Sequence, residues 1–237
     1  MPGATAPHRA RYSPPMRELY HFWLCPFSRK VRVILGEKGL EFELVFEKYW
    51  ERRDDFLRLN PAGVVPVLVE DGGLALADGT AIAEYLDEAF PDKPLVGFGV
   101  AARAETRRLA AWFDIKFNEE VTVNLVDEKL LKRFMAMGAP SSEAIRAGRQ
   151  NIGYHLDYIG YLSERRTWLA GEDFGLADIA AAAHLSCLDY LGDVPWDQHE
   201  GARDWYARVK SRPSFRPLLA DRIAGLPPPD HYADLDF

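Results

Sequence analysis

The stretch LCPFSRKVRVILGEKGL, Leu24 to Leu40, joins the end of a predicted strand to a predicted helix. Its apolar residues recur at helical spacing, and Gly39 supplies a stop. Ser28 is a predicted N-cap, because its hydroxyl can accept a hydrogen bond from the first helical turn. The aromatic and apolar segment before it, Arg17 to Leu24, favours a strand. A cysteine at this junction raises the question of whether Cys25 is a nucleophile.

The following segments predict a small mixed sheet with helices. Glu41 to Glu47 alternates along its length, which is typical of a second strand. A polar helix is predicted over Trp50 to Asn60. Val64 to Glu70 and Leu74 to Ala77 favour a hairpin, because an Asp-Gly-Gly turn separates them. With the helix that follows, the order through residue 90 is βαβ, then α, then ββα.

Beyond residue 90 the pattern changes to purely helical. Residues 91–99 contain two prolines and two glycines and are a predicted linker. A long periodic stretch covers 101–134, a second covers 141–166, and a third helix begins at Gly175. The final stretch follows three consecutive prolines, which cannot continue a helix.

The composition narrows the class of protein. The 237 residues carry a net charge of −7, which argues against nucleic acid as the main partner because phosphate binding needs a basic surface. Two cysteines far apart in sequence do not make a disulfide framework, so a cytoplasmic location is expected. No apolar run approaches the ~18 residues of a membrane span, so no membrane insertion is expected.

A βαβ–α–ββα domain, a proline-rich linker and a helical domain together resemble the glutathione transferase superfamily. Five segments carry the resemblance in the family's order: CPFSRKVRVILGEKGLEFE (25–43), NPAGVVPVLVEDG (60–72), LADGTAIAEYLDEAFP (76–91), GEDFGLADIA (171–180) and WYARVKSRPSF (205–215). The resemblance implies a GST-like fold, with an N-terminal thioredoxin-like α/β domain (βαβ-α-ββα) followed by an all-α helical domain. The boundaries expected from it and from the patterns are a disordered N-terminal extension at 1–16, the thioredoxin-like domain at 17–90, the linker at 91–99, the helical domain at 100–225 and an extended tail at 226–237.

The resemblance also implies a site at the first strand–helix junction. In that frame Val65-Pro66 would carry a cis peptide bond and present the Val65 backbone to a peptide-like ligand; the alternative is that Pro66 only starts an edge strand. Cys25 and Ser28 are the catalytic candidates if the protein is an enzyme. The helix N-terminus and the cations just after it favour a thiolate and hence a lowered pKa for Cys25. The alternatives are a half-buried strand-end cysteine and a serine that only caps the helix.

The pattern departs from the family at the glutathione subsite. Family members hold Glu-Ser or Asp-Ser before the third helix, whereas this chain has Asp78 and Gly79, with Thr80 one position late. Losing a hydrogen bond to a charged group costs about 1.5–3 kcal/mol. We therefore expect a vestigial glutathione site at Val65, Pro66, Asp78 and Thr80 and no cofactor, with glutathione as the alternative ligand. A further alternative is that Asp78 only caps the third helix.

Two features point towards a protein partner. Trp50 lies in a charged segment and is a candidate interface anchor, unless it folds back on the sheet. The tail after the prolines alternates acidic with apolar residues, which is typical of a docking peptide. Its candidate partner-binding residues are Asp230, Tyr232, Asp234, Leu235, Asp236 and Phe237. The alternative is that the tail covers a groove on its own chain.

These features resemble a non-enzymatic branch of the superfamily, the FtsZ-binding division proteins of alphaproteobacteria. The resemblance implies a cytoplasmic homodimer at the division site that binds FtsZ polymers, curves or bundles them and promotes constriction. It also predicts a tail that can be deleted without loss of the fold. The second hypothesis is a glutathione-dependent transferase or thiol transferase that uses Cys25 or Ser28. A third is a stress-starvation type regulator that binds other proteins through the same fold.

Overall fold

The computed structural model describes residues 17–235 of the chain. The predicted extension at 1–16 and two predicted partner contacts, Asp236 and Phe237, lie outside the described residues. No helix within 17–235 combines the length and the apolar character that crossing a membrane would require.

The N-terminal part is the predicted mixed sheet with helices. Its elements are β1 (Glu18–His21), α1 (Pro26–Glu37), β2 (Glu43–Phe46), α2 (Asp54–Leu59), β3 (Val67–Val69), β4 (Ala75–Ala77) and α3 (Gly79–Ala89). The strand order is β2-β1-β3-β4, with β1 parallel to β2 and antiparallel to β3, and with β3 antiparallel to β4. This arrangement confirms the predicted combination of one crossover and one hairpin.

Two local predictions in this part were wrong. The helix predicted over Trp50 to Asn60 is divided into a short 3₁₀ turn (Tyr49–Glu51) and α2, because Arg52 between them adopts a left-handed conformation with φ of 47°. The N-cap of α1 is Cys25 and not Ser28: the Cys25 Sγ accepts a hydrogen bond from the Ser28 backbone N–H at 3.4 Å. Ser28 lies inside the first turn and is fully buried.

The C-terminal part is helical, as predicted. Its elements are α4 (Val100–Ala111), a segment with π-helical hydrogen bonding (Trp112–Leu131), α5 (Lys132–Phe134), α6 (Ser142–Ser163), α7 (Leu176–Tyr190), a 3₁₀ turn (Trp196–Gln198), α8 (Glu200–Lys210), α9 (Arg216–Leu219) and a 3₁₀ turn in the tail (Asp230–Ala233). The first three form one continuous helical path, and we call Trp112–Leu131 the wide helix. All of α7 is buried, so this helix forms the centre of the C-terminal part.

Helix α1 fixes the N-terminal part against the C-terminal part, mainly by packing on α7. Fully buried Arg29 on α1 donates hydrogen bonds to Ser186 on α7 at 2.9 Å and to Tyr232 in the tail at 3.0 Å. Arg29 and Arg32 both form ion pairs with Asp221, which follows α9. A buried charge needs such partners, because desolvation without them is costly.

Candidate functional site

A cavity of about 190 Å³ opens beside Cys25, between the N-terminus of α1 and the wide helix. From the N-terminal part it is lined by Phe22, Leu24, Cys25, Pro26, Phe27, Tyr49, Val64 and Val65, and from the wide helix by Asn118, Thr122, Val123, Asp127 and Leu131. The strand–helix junction at which the resemblance implied a site therefore lines a cleft between the two parts.

The Val65-Pro66 peptide bond at this cavity is cis, as predicted. The strand that follows, β3, lies between β1 and β4, so the alternative of an edge strand was wrong. The Val65 carbonyl oxygen lies 3.8 Å from the Cys25 Sγ and accepts a weak hydrogen bond from the thiol.

The Cys25 thiol is not activated, contrary to the lowered pKa that the sequence predicted. Burial raises the pKa of Cys25 above its ordinary value, although hydrogen bonds from Ser28 act in the opposite direction. Neither of the cations after it is available to the thiol. Arg29 is held by Asp221 and its other partners, and the Lys30 Nζ lies 2.5 Å from an Asp114 carboxylate oxygen. Both cations thus already have a carboxylate partner other than the thiol.

At the predicted glutathione subsite, Asp78 acts as the N-cap of α3. One carboxylate oxygen of Asp78 accepts hydrogen bonds from the backbone N–H groups of Thr80 and Ala81, at 2.7 and 3.0 Å. This geometry supports the capping alternative for Asp78. The side chain of Thr80 is exposed.

Gly79 lies where α3 approaches α1 closely. A Cβ at this position would lie 3.2 Å from the Phe27 Cβ and 3.4 Å from the Lys30 Cε. These distances are tighter than most side-chain contacts, so a serine here would require Phe27 or its neighbours to move. The close packing of α3 on α1 therefore leaves little room for a serine hydroxyl at position 79.

Two polar residues of the cavity, Tyr49 and Asp127, were not among the predicted site residues. Burial raises the pKa of Tyr49, and the thiol and Asp127 nearby act in the same direction. Burial also raises the pKa of Asp127 to about 6, with a smaller contribution from Glu128. A signal for Asp127 was present in the sequence, because it lies four residues from both Val123 and Leu131 and therefore on their apolar face.

Trp50 belongs to an aromatic cluster instead of standing free. Its ring stacks on Phe134, with centroids 6.0 Å apart and planes 5° apart, and meets Phe22 edge-on at 5.6 Å. We call the set Phe22, Phe46, Tyr49, Trp50 and Phe134 the aromatic cluster. Trp50 is half-buried, but Phe46 and Phe134 are 43% and 39% exposed. Phe134 thus covers one face of the Trp50 ring, and the exposed parts of Phe46 and Phe134 form an apolar surface beside it.

The tail packs on its own chain through Tyr232, which is fully buried. The Tyr232 hydroxyl accepts a hydrogen bond from Arg29 and donates one to the Leu218 carbonyl oxygen, each at 3.0 Å. The burial of Tyr232 argues against the expectation that the tail can be removed without affecting the fold. Asp230 and Asp234 are exposed and Leu235 is half-buried, so the acidic side chains face outwards while the tyrosine anchors the segment.

Comparisons with known proteins match both parts of the chain. The glutathione S-transferase N-terminal domain family matches residues 24–89, and the C-terminal domain family matches residues 147–213. FtsZ-localized protein A of Caulobacter vibrioides is 51% identical over 224 residues, which is 93% of this chain and 98% of that protein. Glutathione S-transferase 3 of Zea mays is 30% identical over 90% of this chain and 96% of that protein.

Solved structures agree with this likeness. A crystal structure described as a glutathione S-transferase from Rhodospirillum rubrum F11 is 59% identical, with a TM-score of 0.92 over 94% of this chain and all of that chain. The structure of FzlA from C. crescentus is 51% identical, with a TM-score of 0.90 over the same shares. The two matched domains, the fold and the relatives together show that the chain belongs to the glutathione S-transferase family.

Proposed function

We propose that this protein is a non-enzymatic, GST-like cell-division protein that binds FtsZ polymers as a homodimer at the division site. In this role it promotes curvature or bundling of the filaments and so promotes constriction. The observation that carries the proposal is the 51% identity to FtsZ-localized protein A over almost the whole length of both chains.

The state of the thiol supports a role outside catalysis. A nucleophilic cysteine needs a lowered pKa, which usually comes from a nearby cation or a helix N-terminus. Here Cys25 lies at the N-terminus of α1, but burial raises its pKa. The three cations of α1 pair with carboxylates instead: Arg29 and Arg32 with Asp221, and Lys30 with Asp114. At neutral pH the cysteine is therefore a protonated thiol and a weak nucleophile.

The geometry of the predicted glutathione subsite supports the same conclusion. Asp78 keeps its carboxylate but uses it to cap α3, and Gly79 offers no hydroxyl. Because the space above Gly79 is filled by Phe27, the missing group is not supplied by a neighbouring side chain at that point. A ligand with the polar ends of glutathione would find fewer partners here.

Two exposed features are suited to contact with a filament. The apolar surface of the aromatic cluster suits a burying contact, since exposed aromatic side chains are frequent interface anchors. Asp230 and Asp234 in the tail provide exposed negative charges held in place by Tyr232. A homodimer would present each feature twice, and two sites on one particle strengthen attachment to a polymer without new contacts.

Co-sedimentation with FtsZ polymers tests the proposal. The wild-type protein is expected to pellet with polymers in a saturable manner. The double variant Asp230→Lys, Asp234→Lys reverses the exposed tail charges but leaves Tyr232 in place, and it is expected to pellet much less. The matched control is Asp71→Lys, Asp204→Lys, which makes the same charge change at exposed positions elsewhere and is expected to pellet like the wild type.

Electron microscopy of the same samples reports whether the filaments curve or bundle. Wild-type protein that stays in the supernatant at saturating polymer would contradict the proposal as a whole. Wild-type pelleting that the tail reversal leaves unchanged would remove the tail from the contact and leave the aromatic cluster as the candidate surface.

A glutathione-dependent transferase or thiol transferase is the second candidate, favoured by the cavity beside Cys25 and by the likeness to the Zea mays transferase. A calorimetric titration with reduced glutathione at cellular concentrations separates the two. We expect no saturable heat. Saturable binding together with turnover that is lost in Cys25→Ala or Ser28→Ala would favour the enzyme.

A further inference from the structure

Among residues 17–235, one carboxylate and no basic side chain line the cavity beside Cys25. The residues from 17 to 235 that line it include no lysine, arginine or histidine. Its polar groups are the Cys25 thiol, the Tyr49 phenol, the Asn118 amide, the Thr122 hydroxyl and the Asp127 carboxylate. We propose that this cavity binds a small apolar amine, with the ammonium group of the ligand against Asp127.

Asp127 lacks the cation that similar carboxylates in this protein have. Asp114, at the start of the same helix, pairs with Lys30, and Asp193 pairs with Lys129 and Arg149. Within residues 17–235, the Asp127 carboxylate makes no hydrogen bond or ion pair. A half-buried carboxylate without a partner is costly to ionise, and an organic cation would supply that partner.

The remaining walls suit the apolar body of such a ligand. Phe22, Phe27 and Tyr49 contribute ring surfaces, and the aliphatic residues of the wide helix close the other side. An ammonium group also gains from lying over an aromatic face such as that of Tyr49. Asn118 also lines the cavity, nine residues before Asp127 on the wide helix, and its side-chain amide makes no hydrogen bond within residues 17–235.

The volume limits the ligand to a small molecule. Pockets for drug-sized ligands measure roughly 300–1,000 Å³, whereas this cavity measures about 190 Å³. A primary amine that carries one ring or a short alkyl chain is therefore the class that fits. An anion is disfavoured, because its negative charge would lie beside Asp127 without a cation to offset it. This inference stands whether or not the protein binds FtsZ.

Calorimetric titration with three probes of matched shape tests the charge preference. The probes are phenethylamine, which is a cation at pH 7.5, the neutral 2-phenylethanol and the anion 3-phenylpropanoate. Phenethylamine is expected to bind saturably to the wild type and more tightly than the other two. In Asp127→Asn its affinity is expected to fall about 10- to 100-fold, the usual value of a hydrogen bond to a charged group, while that of 2-phenylethanol is expected to change little.

The matched control is Glu119→Gln, which removes the same charge from an exposed position on the same helix and is expected to leave all three affinities unchanged. The pH dependence gives a second readout. The groups that face Asp127 are Cys25 and Tyr49 across the cavity and Glu128 on its own helix. Because burial holds the first two neutral, the fall of phenethylamine affinity below pH 6 reports Asp127 and is expected to be absent in Asp127→Asn.

No saturable binding of phenethylamine to the wild type would overturn the proposal. Equal affinity of the wild type and Asp127→Asn for phenethylamine would also overturn it, since the ammonium would then not lie against this carboxylate. Circular dichroism of both variants shows whether the fold is intact, and the 2-phenylethanol titration shows whether the cavity itself is preserved.

Discussion

Replacing Tyr232 should destabilise the whole protein, although the residue lies close to the C-terminus. Tyr232→Phe removes the hydroxyl that joins Arg29 to the Leu218 carbonyl oxygen. Both partners keep other hydrogen bonds: Arg29 still contacts Trp23, Ser186 and Asp221. We therefore expect a loss of about 1–2 kcal/mol, near the usual net value of one or two hydrogen bonds. For a chain of this length that lowers Tm by about 2–4 °C per kcal/mol.

Tyr232→Ala should cost more than Tyr232→Phe because it also empties a fully buried site. Removing a large buried aromatic side chain typically costs about 3–5 kcal/mol. The ring also loses its edge-on contact with Tyr190, at a centroid distance of 5.1 Å. Urea unfolding followed by circular dichroism measures both variants against the wild type. Deletion of residues 230–237 is expected to behave like Tyr232→Ala, because it removes the same anchor.

Asp230→Asn is the control for these variants, since Asp230 is exposed and within the same turn. Surface substitutions of this kind usually change stability by no more than about 0.5 kcal/mol. If Tyr232→Ala and the control shared the wild-type urea midpoint, the tail would not be part of the cooperative fold and the assignment of Tyr232 to the core would be refuted.

Three further outcomes follow from the buried charges and the thiol. With the buried Cys187 replaced by alanine, Cys25 should react with iodoacetamide at pH 7.5 no faster than free cysteine, because burial raises the pKa of Cys25. Mass spectrometry measures the rate, and faster labelling would contradict the raised pKa. Asp221→Asn should lower the free energy of unfolding by about 3–5 kcal/mol, since it leaves two buried arginines without their anion; a urea midpoint like that of the wild type would show that the pairs add little. The hydrogen bond to Asp189 raises the pKa of His231 above its unfolded value. The stabilisation from this hydrogen bond should therefore be complete below the unfolded pKa of about 6.5 and lost as the pH rises through the raised value. His231→Gln should flatten the pH dependence of the free energy of unfolding between pH 6 and 8, and an unaltered profile would assign that dependence to other groups.

The sequence predicted the fold well because the elements carry their own local signals. The alternation of β2, the turn residues of the β3–β4 hairpin and the periodicity of α6 are properties of neighbouring residues, and the structure has each element in the predicted place. The cis bond at Val65-Pro66 was predicted from the family likeness and not from the local pattern. Boundaries were less exact, because Arg52 at positive φ interrupts a segment whose composition favours one helix.

The site was harder to predict because its chemistry depends on residues distant in sequence. The sequence around Cys25 suggested that Arg29 and Lys30 would lower the pKa of the thiol. The carboxylates that pair with these cations belong to Asp221 and Asp114, and nothing near Cys25 in sequence indicates them. In the same way, the sequence left open whether the tail docks on a partner or on its own chain, because the residues that bury Tyr232 lie far from it in sequence.

The ion pair between Arg29 and Asp221 joins residues 192 positions apart. A ribosome adds about 5–20 residues per second, so roughly 10–40 s separate the synthesis of the arginine from that of its carboxylate. During that interval Arg29 and Arg32 of α1 lack the carboxylate with which they are buried. The N-terminal part therefore reaches its final packing only after nearly all of the chain has been made. The segment after α9 and the tail contribute to the packing of the N-terminal part as well as to that of the C-terminal part.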